Sequence, residues 1–87
     1  MTITVYTKPG CGQCDMTKIA LNSGGVSYNT IDVTKDPEAF EFVTETLGLR
    51  SMPVVYTGDA ATAWAGLNLD NIKALIADVK AEELASA

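Results

Sequence analysis

The stretch "KPGCGQCDM", residues 8–16, decides the reading, because it sets both cysteines of the chain, Cys11 and Cys14, two residues apart behind a proline and a glycine. The residues before it, Thr2 to Thr7, alternate Ile3 and Val5 with Thr2, Thr4 and Tyr6, a β-branched pattern that predicts a strand. Lys8-Pro9-Gly10 breaks that strand. From about Cys11 the spacing of Met16, Ile19 and Ala20 predicts a helix with one apolar stripe, ended by Asn22-Ser23-Gly24-Gly25, where glycine supplies the left-handed conformation of a helix terminus. The cysteine pair thus falls where a strand hands over to a helix.

Working outward, Val26 to Val33 carries Tyr28, Ile31 and Val33 and predicts a second strand. Asp36-Pro37 opens a second helix, with Asp as cap and Pro in the first turn. Ala39, Phe40, Val43 and Leu47 form its expected inner face and Gly48 its stop. A third strand, Met52 to Tyr56, is entered through Pro53; "TGDA", residues 57–60, is a turn, and a short fourth strand follows near Thr62 to Ala65. Leu69, Ile72, Leu75, Ile76 and Val79 predict a last helix capped by Asn68, with the tail "AEELASA" fraying from about residue 80. The order is βαβαββα, an α/β chain with the first two strands parallel through a crossover and the last two an antiparallel hairpin. No linker divides residues 1–87, so one domain is expected.

Composition excludes several functions. The chain has 87 residues, 47% of them hydrophobic, and eleven acidic against six basic side chains give a net charge of −5. Such a surface offers no basic stripe to a phosphate backbone, so nucleic acid is not an expected partner. Nothing resembles a signal peptide or an apolar membrane span, and a soluble, cytoplasmic protein is expected. Thiols are mostly kept reduced in that compartment, which favours a catalytic or metal-binding role over a structural one for a close-spaced pair.

Three roles for the pair can be weighed. A tetrahedral zinc site wants four ligands, and "CGQC" supplies two in a chain with no histidine and no third cysteine, so no metal is expected. A structural disulfide over so short a loop would restrict the unfolded chain only slightly. The redox role has positive support. If the helix begins at Gly12, the Cys11 sulfur meets unpaired amides and the positive end of the helix dipole, which favour the thiolate. Cys14 lies a turn deeper. Cys11 is then the nucleophile that attacks a partner disulfide, and Cys14 the resolving thiol that releases the reduced partner and closes the Cys11–Cys14 disulfide.

The neighbours are less decisive. Lys8 would stabilise the thiolate and Asp15 would oppose it, or both are solvated surface charges. Gly12 either leaves the disulfide open to approach or is merely tolerated at an exposed helix start. Pro53 cannot donate to a β-ladder, and either a cis Met52-Pro53 bond presents the Met52 backbone beside the disulfide or the residue is an ordinary strand-entry proline.

Together "VYTKPGCGQC" at 5–14, "SMPVV" at 51–55 and "WAGLNLDNIKAL" at 64–75 resemble the glutaredoxin-like branch of the thioredoxin fold, and within it the NrdH-redoxin group, over residues 2–77. The resemblance implies a four-stranded mixed sheet flanked by three helices, with a cis-proline at Pro53 next to the disulfide. It also implies a small monomeric electron donor to the large subunit of a class Ib ribonucleotide reductase, with no bound cofactor and with electrons arriving from NADPH through thioredoxin reductase. A glutathione-dependent glutaredoxin that reduces mixed disulfides is the alternative. An iron–sulfur carrier, with Cys11 of two chains and glutathione as ligands, and an adaptor with incidental cysteines are more distant ones.

The residues divide between the two branches. Lys8 matches a position that glutaredoxins use for a glutathione carboxylate. Their Gly-Gly-x-Asp after the fourth strand, however, is here Ala65-Gly66-Leu67-Asn68-Leu69-Asp70. Trp64-x-Gly66 is similar instead to the Trp-Ser-Gly-Phe-Arg-Pro-Asp stretch of NrdH-redoxins, as is Gln13 between the cysteines. Two departures remain: Gly12 stands where that group usually has Val, and Leu67-Asn68-Leu69 where it has Phe-Arg-Pro. On this reading apolar Met52 and Trp64, with Ala65 and Gly66, flank the disulfide and dock a cysteine-bearing tail.

Overall fold

The computed structural model describes residues 2–86. Four strands, β1 (Thr4–Thr7), β2 (Asn29–Asp32), β3 (Val54–Tyr56) and β4 (Trp64–Ala65), form one sheet in the order β2-β1-β3-β4. β1 runs parallel to β2 and antiparallel to β3, and β3 is antiparallel to β4. Helices α1 (Gly12–Ser23), α2 (Pro37–Glu41) and α3 (Leu69–Ser86) complete the βαβαββα order expected from the sequence. α3 continues through Ser86, past the point near residue 80 where fraying is expected; Ala87, the end of that tail, lies outside the described residues. Among the described residues no helix is long and apolar enough to cross a membrane.

Alternation along the central strands divides the core in two, since successive side chains of a strand point to opposite faces. Ile3, Val5 and Val55 pack with Leu21, Val26, Ile72 and Leu75, against α1 and α3. Tyr6 and Val54 pack with Val33, Ala39, Val43, Met52 and both cysteines, on the α2 side.

The inner faces of the helices match the expected ones at Ala39, Val43 and Leu47 and at Ile72, Leu75, Ile76 and Val79, and differ elsewhere. In α1 the buried residues are Cys14, Thr17 and Leu21, while Met16 and Ile19 are 51% and 57% exposed. The bonded Cys14 fixes that helix's rotation, so positions three and seven residues on turn inward and Met16 and Ile19 turn out. In α2 Phe40 is exposed, and Phe42 packs inward between Tyr6 and Tyr56, its ring centroid 6.2 and 5.2 Å from theirs. α2 continues from Phe42 to Thr46 as a π-helical turn, in which the Leu47 amide donates to the Phe42 carbonyl (3.0 Å), and this wider turn carries Leu47 back onto the face of Ala39 and Val43. In α3 Leu69 is exposed and Leu67, just ahead of the helix, joins the core in its place.

The ends are set by local chemistry. Asp36 accepts from the Ala39 amide (3.0 Å) and Asn68 from the Asn71 amide (3.0 Å), the two caps expected from sequence. Gly25 takes φ +71° after α1, and the Val26 amide closes the turn onto the Leu21 carbonyl. β2 is shorter than Val26 to Val33: ahead of it the Val26 amide is turned back onto the Leu21 carbonyl (3.1 Å), and past it the Asp32 carboxylate accepts from the hydroxyl and amide of Thr34 (2.6 and 2.9 Å), bonds that hold its carboxyl below the usual range.

Candidate active site

β1 delivers the chain to Lys8-Pro9-Gly10, and Gly10, at φ +69°, turns it into α1. Cys11 is the N-cap of that helix: its backbone is extended (φ −102°, ψ 102°) and its Sγ accepts a hydrogen bond from the Cys14 amide (3.1 Å). The two sulfurs are joined as a disulfide, with the Cα atoms 5.2 Å apart. Cys11 is 9% exposed and Cys14 fully buried, the order that an attacking and a resolving thiol require. Once the bond is reduced, a helix-terminal amide already aimed at the Cys11 sulfur favours its thiolate.

The opposite wall comes from the loop into β3. The Met52-Pro53 peptide bond is cis, as the family resemblance implied and as one of the two readings of the proline's position allowed, and the Met52 carbonyl oxygen lies 3.7 Å from Cys11 Sγ. Pro53 cannot donate, but its carbonyl accepts from the Gly66 amide (2.8 Å), which ties the loop to the chain leaving β4. Gly66 turns there at φ +86°, a conformation that favours glycine. Gln13 closes the ring: its Oε1 accepts from the Leu67 amide (3.1 Å), joining the first turn of α1 to the segment ahead of α3.

The remaining residues expected at the site sort as follows. Ala65, paired with Val54, packs on the cysteine cluster. Trp64, paired with Val55, falls on the other face of the sheet and packs on the cluster of Ile3, Val5 and Ile72, a core side chain and not the disulfide-flanking one that the family resemblance implied. Strand alternation makes Ala65 and Trp64 mutually exclusive on one face. The Trp64 indole N–H is buried without a hydrogen-bond partner. Gly12 is exposed, and a Cβ built there meets nothing within 4 Å, so packing does not demand glycine. Lys8 is exposed. Asp15 is largely exposed and pairs with Lys18 (3.5 Å), in accord with a surface charge.

Two groups were not legible beforehand. The Leu67 amide is met by Gln13 only through folding, across 54 residues of sequence. Thr17, fully buried one turn beyond Cys14, has a hydroxyl with no hydrogen-bond partner; its i+3 spacing from Cys14 was the available signal. Among the described residues no group of three or more His, Cys, Asp or Glu side chains is placed to hold a metal.

A near-surface sulfur backed by a buried one, with helix-terminal amides on one side and a cis-proline loop on the other, is suited to thiol–disulfide exchange. The glutaredoxin family pattern matches residues 3–61. The glutaredoxin-like protein NrdH of Escherichia coli K12 is 40% identical over 75 residues, covering 86% of this chain and 89% of that one. The gene 56 protein of Mycobacterium phage L5 is 39% identical over 74 residues, 85% and 71% of the two chains. The solved structure of E. coli NrdH-redoxin superposes with a TM-score of 0.78, covering 86% of this chain and 95% of its own. By sequence, fold and cysteine geometry alike, the chain belongs to the glutaredoxin family, as an NrdH-like thiol–disulfide oxidoreductase.

Proposed function

We propose that the protein carries electrons from thioredoxin reductase, and so from NADPH, to a class Ib ribonucleotide reductase, acting as a cytoplasmic monomer with no bound cofactor. The observation that carries this reading over a glutathione-linked one is the hydrogen bond from the Leu67 amide to Gln13 Oε1. Glutathione bound by the glutaredoxin arrangement needs free donors at the loop after the fourth strand. Here the second glycine is missing and an amide of that loop is already taken, so a peptide carboxylate would have to displace Gln13. The E. coli NrdH-redoxin structure is described by its thioredoxin-like activity profile, which supports the same recharging route.

The chemistry runs in two exchanges. A thiolate at Cys11 attacks a disulfide of the reductase's mobile segment, and one partner thiol leaves. Cys14 then attacks the Cys11 sulfur, the mixed disulfide breaks, and the second partner thiol leaves. Met52, buried beside Cys11, offers a backbone edge and an apolar side chain against which an extended segment can lie. The test is deoxyribonucleotide formation by a purified class Ib enzyme supplied with NADPH, thioredoxin reductase and this protein. Turnover that rises with the concentration of the protein supports the donor role; no turnover, with a glutaredoxin-like donor of that enzyme active in parallel, contradicts it.

A further inference from the structure

Thr17 is the single serine, threonine, amide or charged side chain that is buried among the described residues. Its hydroxyl has no hydrogen-bond partner, not even a carbonyl of the preceding helical turn, where a threonine in a helix commonly donates. Leaving a buried hydroxyl unpaired is unfavourable, and a core position flanked by Cys14 and Leu21 would be filled as well by valine. The helix geometry points to what the hydroxyl is for. Residues three apart lie on one face, and side chains lean toward the helix N-terminus, so Thr17 leans toward Cys14, which is itself fully buried.

In the disulfide, Cys14 Sγ is bonded to Cys11 and carries neither proton nor charge. After reduction it becomes a thiol or thiolate in the buried cluster of Tyr6, Val33, Ala39, Val43, Met52 and Val54, where Tyr6 is the titratable side chain and Asp36 is the carboxylate near enough to act on Tyr6. We infer that the Thr17 hydroxyl is the internal hydrogen-bond partner of Cys14 Sγ in the reduced protein, and that it adjusts the balance between disulfide and dithiol.

In the resolving step the Cys14 thiolate attacks Cys11 of the mixed disulfide, the Cys11–Cys14 bond forms, and the partner's sulfur departs as a thiolate that takes a proton from solvent. Over the full exchange two electrons pass from the cysteine pair to the partner disulfide. The Thr17 hydroxyl donates to the Cys14 sulfur before the attack and is released, unpaired, when the disulfide closes. It therefore favours the dithiol state, holding the thiolate more strongly than the thiol.

This inference rests on the Cys11–Cys14 pair cycling, and its test separates the two. The oxidised fraction of the purified protein is measured across a range of dithiothreitol redox ratios for the unaltered chain, for Thr17→Val, which keeps shape and loses the hydroxyl, and for Thr17→Ser, which keeps the hydroxyl. Thr17→Val is expected to shift the equilibrium toward the disulfide about tenfold, roughly 30 mV for a two-electron couple, with Thr17→Ser within about twofold of the unaltered protein. In a Cys11→Ser background, Thr17→Val should also raise the pH at which the Cys14 thiolate absorbance appears. An equilibrium unchanged in Thr17→Val, or shifted without any change in the Cys14 titration, would overturn the inference. Failure of the unaltered protein to cycle at all would instead remove the redox reading beneath it.

Discussion

The two cysteines do different work because their surroundings differ by one helical turn. Cys11 caps α1 and touches solvent, and Cys14 is sealed beneath it. Replacing Cys14 with serine should therefore leave the first exchange intact and block the second. Mass spectrometry of Cys14→Ser after incubation with an oxidised partner is expected to show a stable adduct through Cys11, whereas an adduct-free chain would contradict the two-step route. The places of Cys11, Cys14 and Pro53 were legible because each makes a local chemical statement: a thiol pair at a strand–helix junction, a proline at a strand entrance. The work of Gln13 was not, since its partner is a backbone amide 54 residues away. Trp64 was misplaced because the facing of a two-residue strand is set by its pairing with Val55, which sequence alternation over so short a run does not define.

At the scale of elements, the helix positions and the inner face of α3 were legible, with Ile72, Leu75, Ile76 and Val79 in the core as their spacing predicts, while the rotation of α1 was not. Caps and stops are short-range signals, and Asp36, Asn68 and the glycines after α1 act as their chemistry dictates. Rotation depends on which residues meet the sheet. Counting Met16 and Ile19 as the core stripe of α1 overlooked that a bonded cysteine and a threonine can own the buried face. Likewise, no periodicity of 3.6 anticipates the wider turn that turns Phe42 inward. The packing of α1 against α3 is close enough to test: a Cβ added at Gly24 would run into the Ile76 side chain. Gly24→Ala, though its φ of −81° suits any residue, should lower the unfolding free energy by about 1–3 kcal/mol. Denaturant titration checks this, and an unchanged midpoint would mean that the helices part at no cost.

Across the whole molecule, one sheet separates a redox core from a packing core. The α/β class and the element order were legible from the alternation in β1, the caps and the glycine stops; the division of the core was not, because it depends on which helix residues meet which face of the sheet. Tyr6 spans the two levels, lying in β1 and against Val54 of β3 within the cysteine cluster. Burial, and then the nearby Tyr56 and Asp36, push its hydroxyl above the ordinary tyrosine range. The folded state thus keeps a proton that the unfolded chain releases at about pH 10, so stability present below that pH is lost as pH rises through the folded value. Urea unfolding of Tyr6→Phe should fall less steeply on the alkaline side than that of the unaltered protein; parallel alkaline limbs would deny Tyr6 this role.

The geometry at Gln13 and Leu67 bears directly on which reductant recharges the disulfide. The decisive measurement is NADPH oxidation by the purified protein with a model disulfide, once with thioredoxin reductase and once with glutathione and glutathione reductase. Turnover with thioredoxin reductase and little with glutathione is the predicted result; turnover with glutathione alone would contradict the account and return Lys8 to a glutathione site.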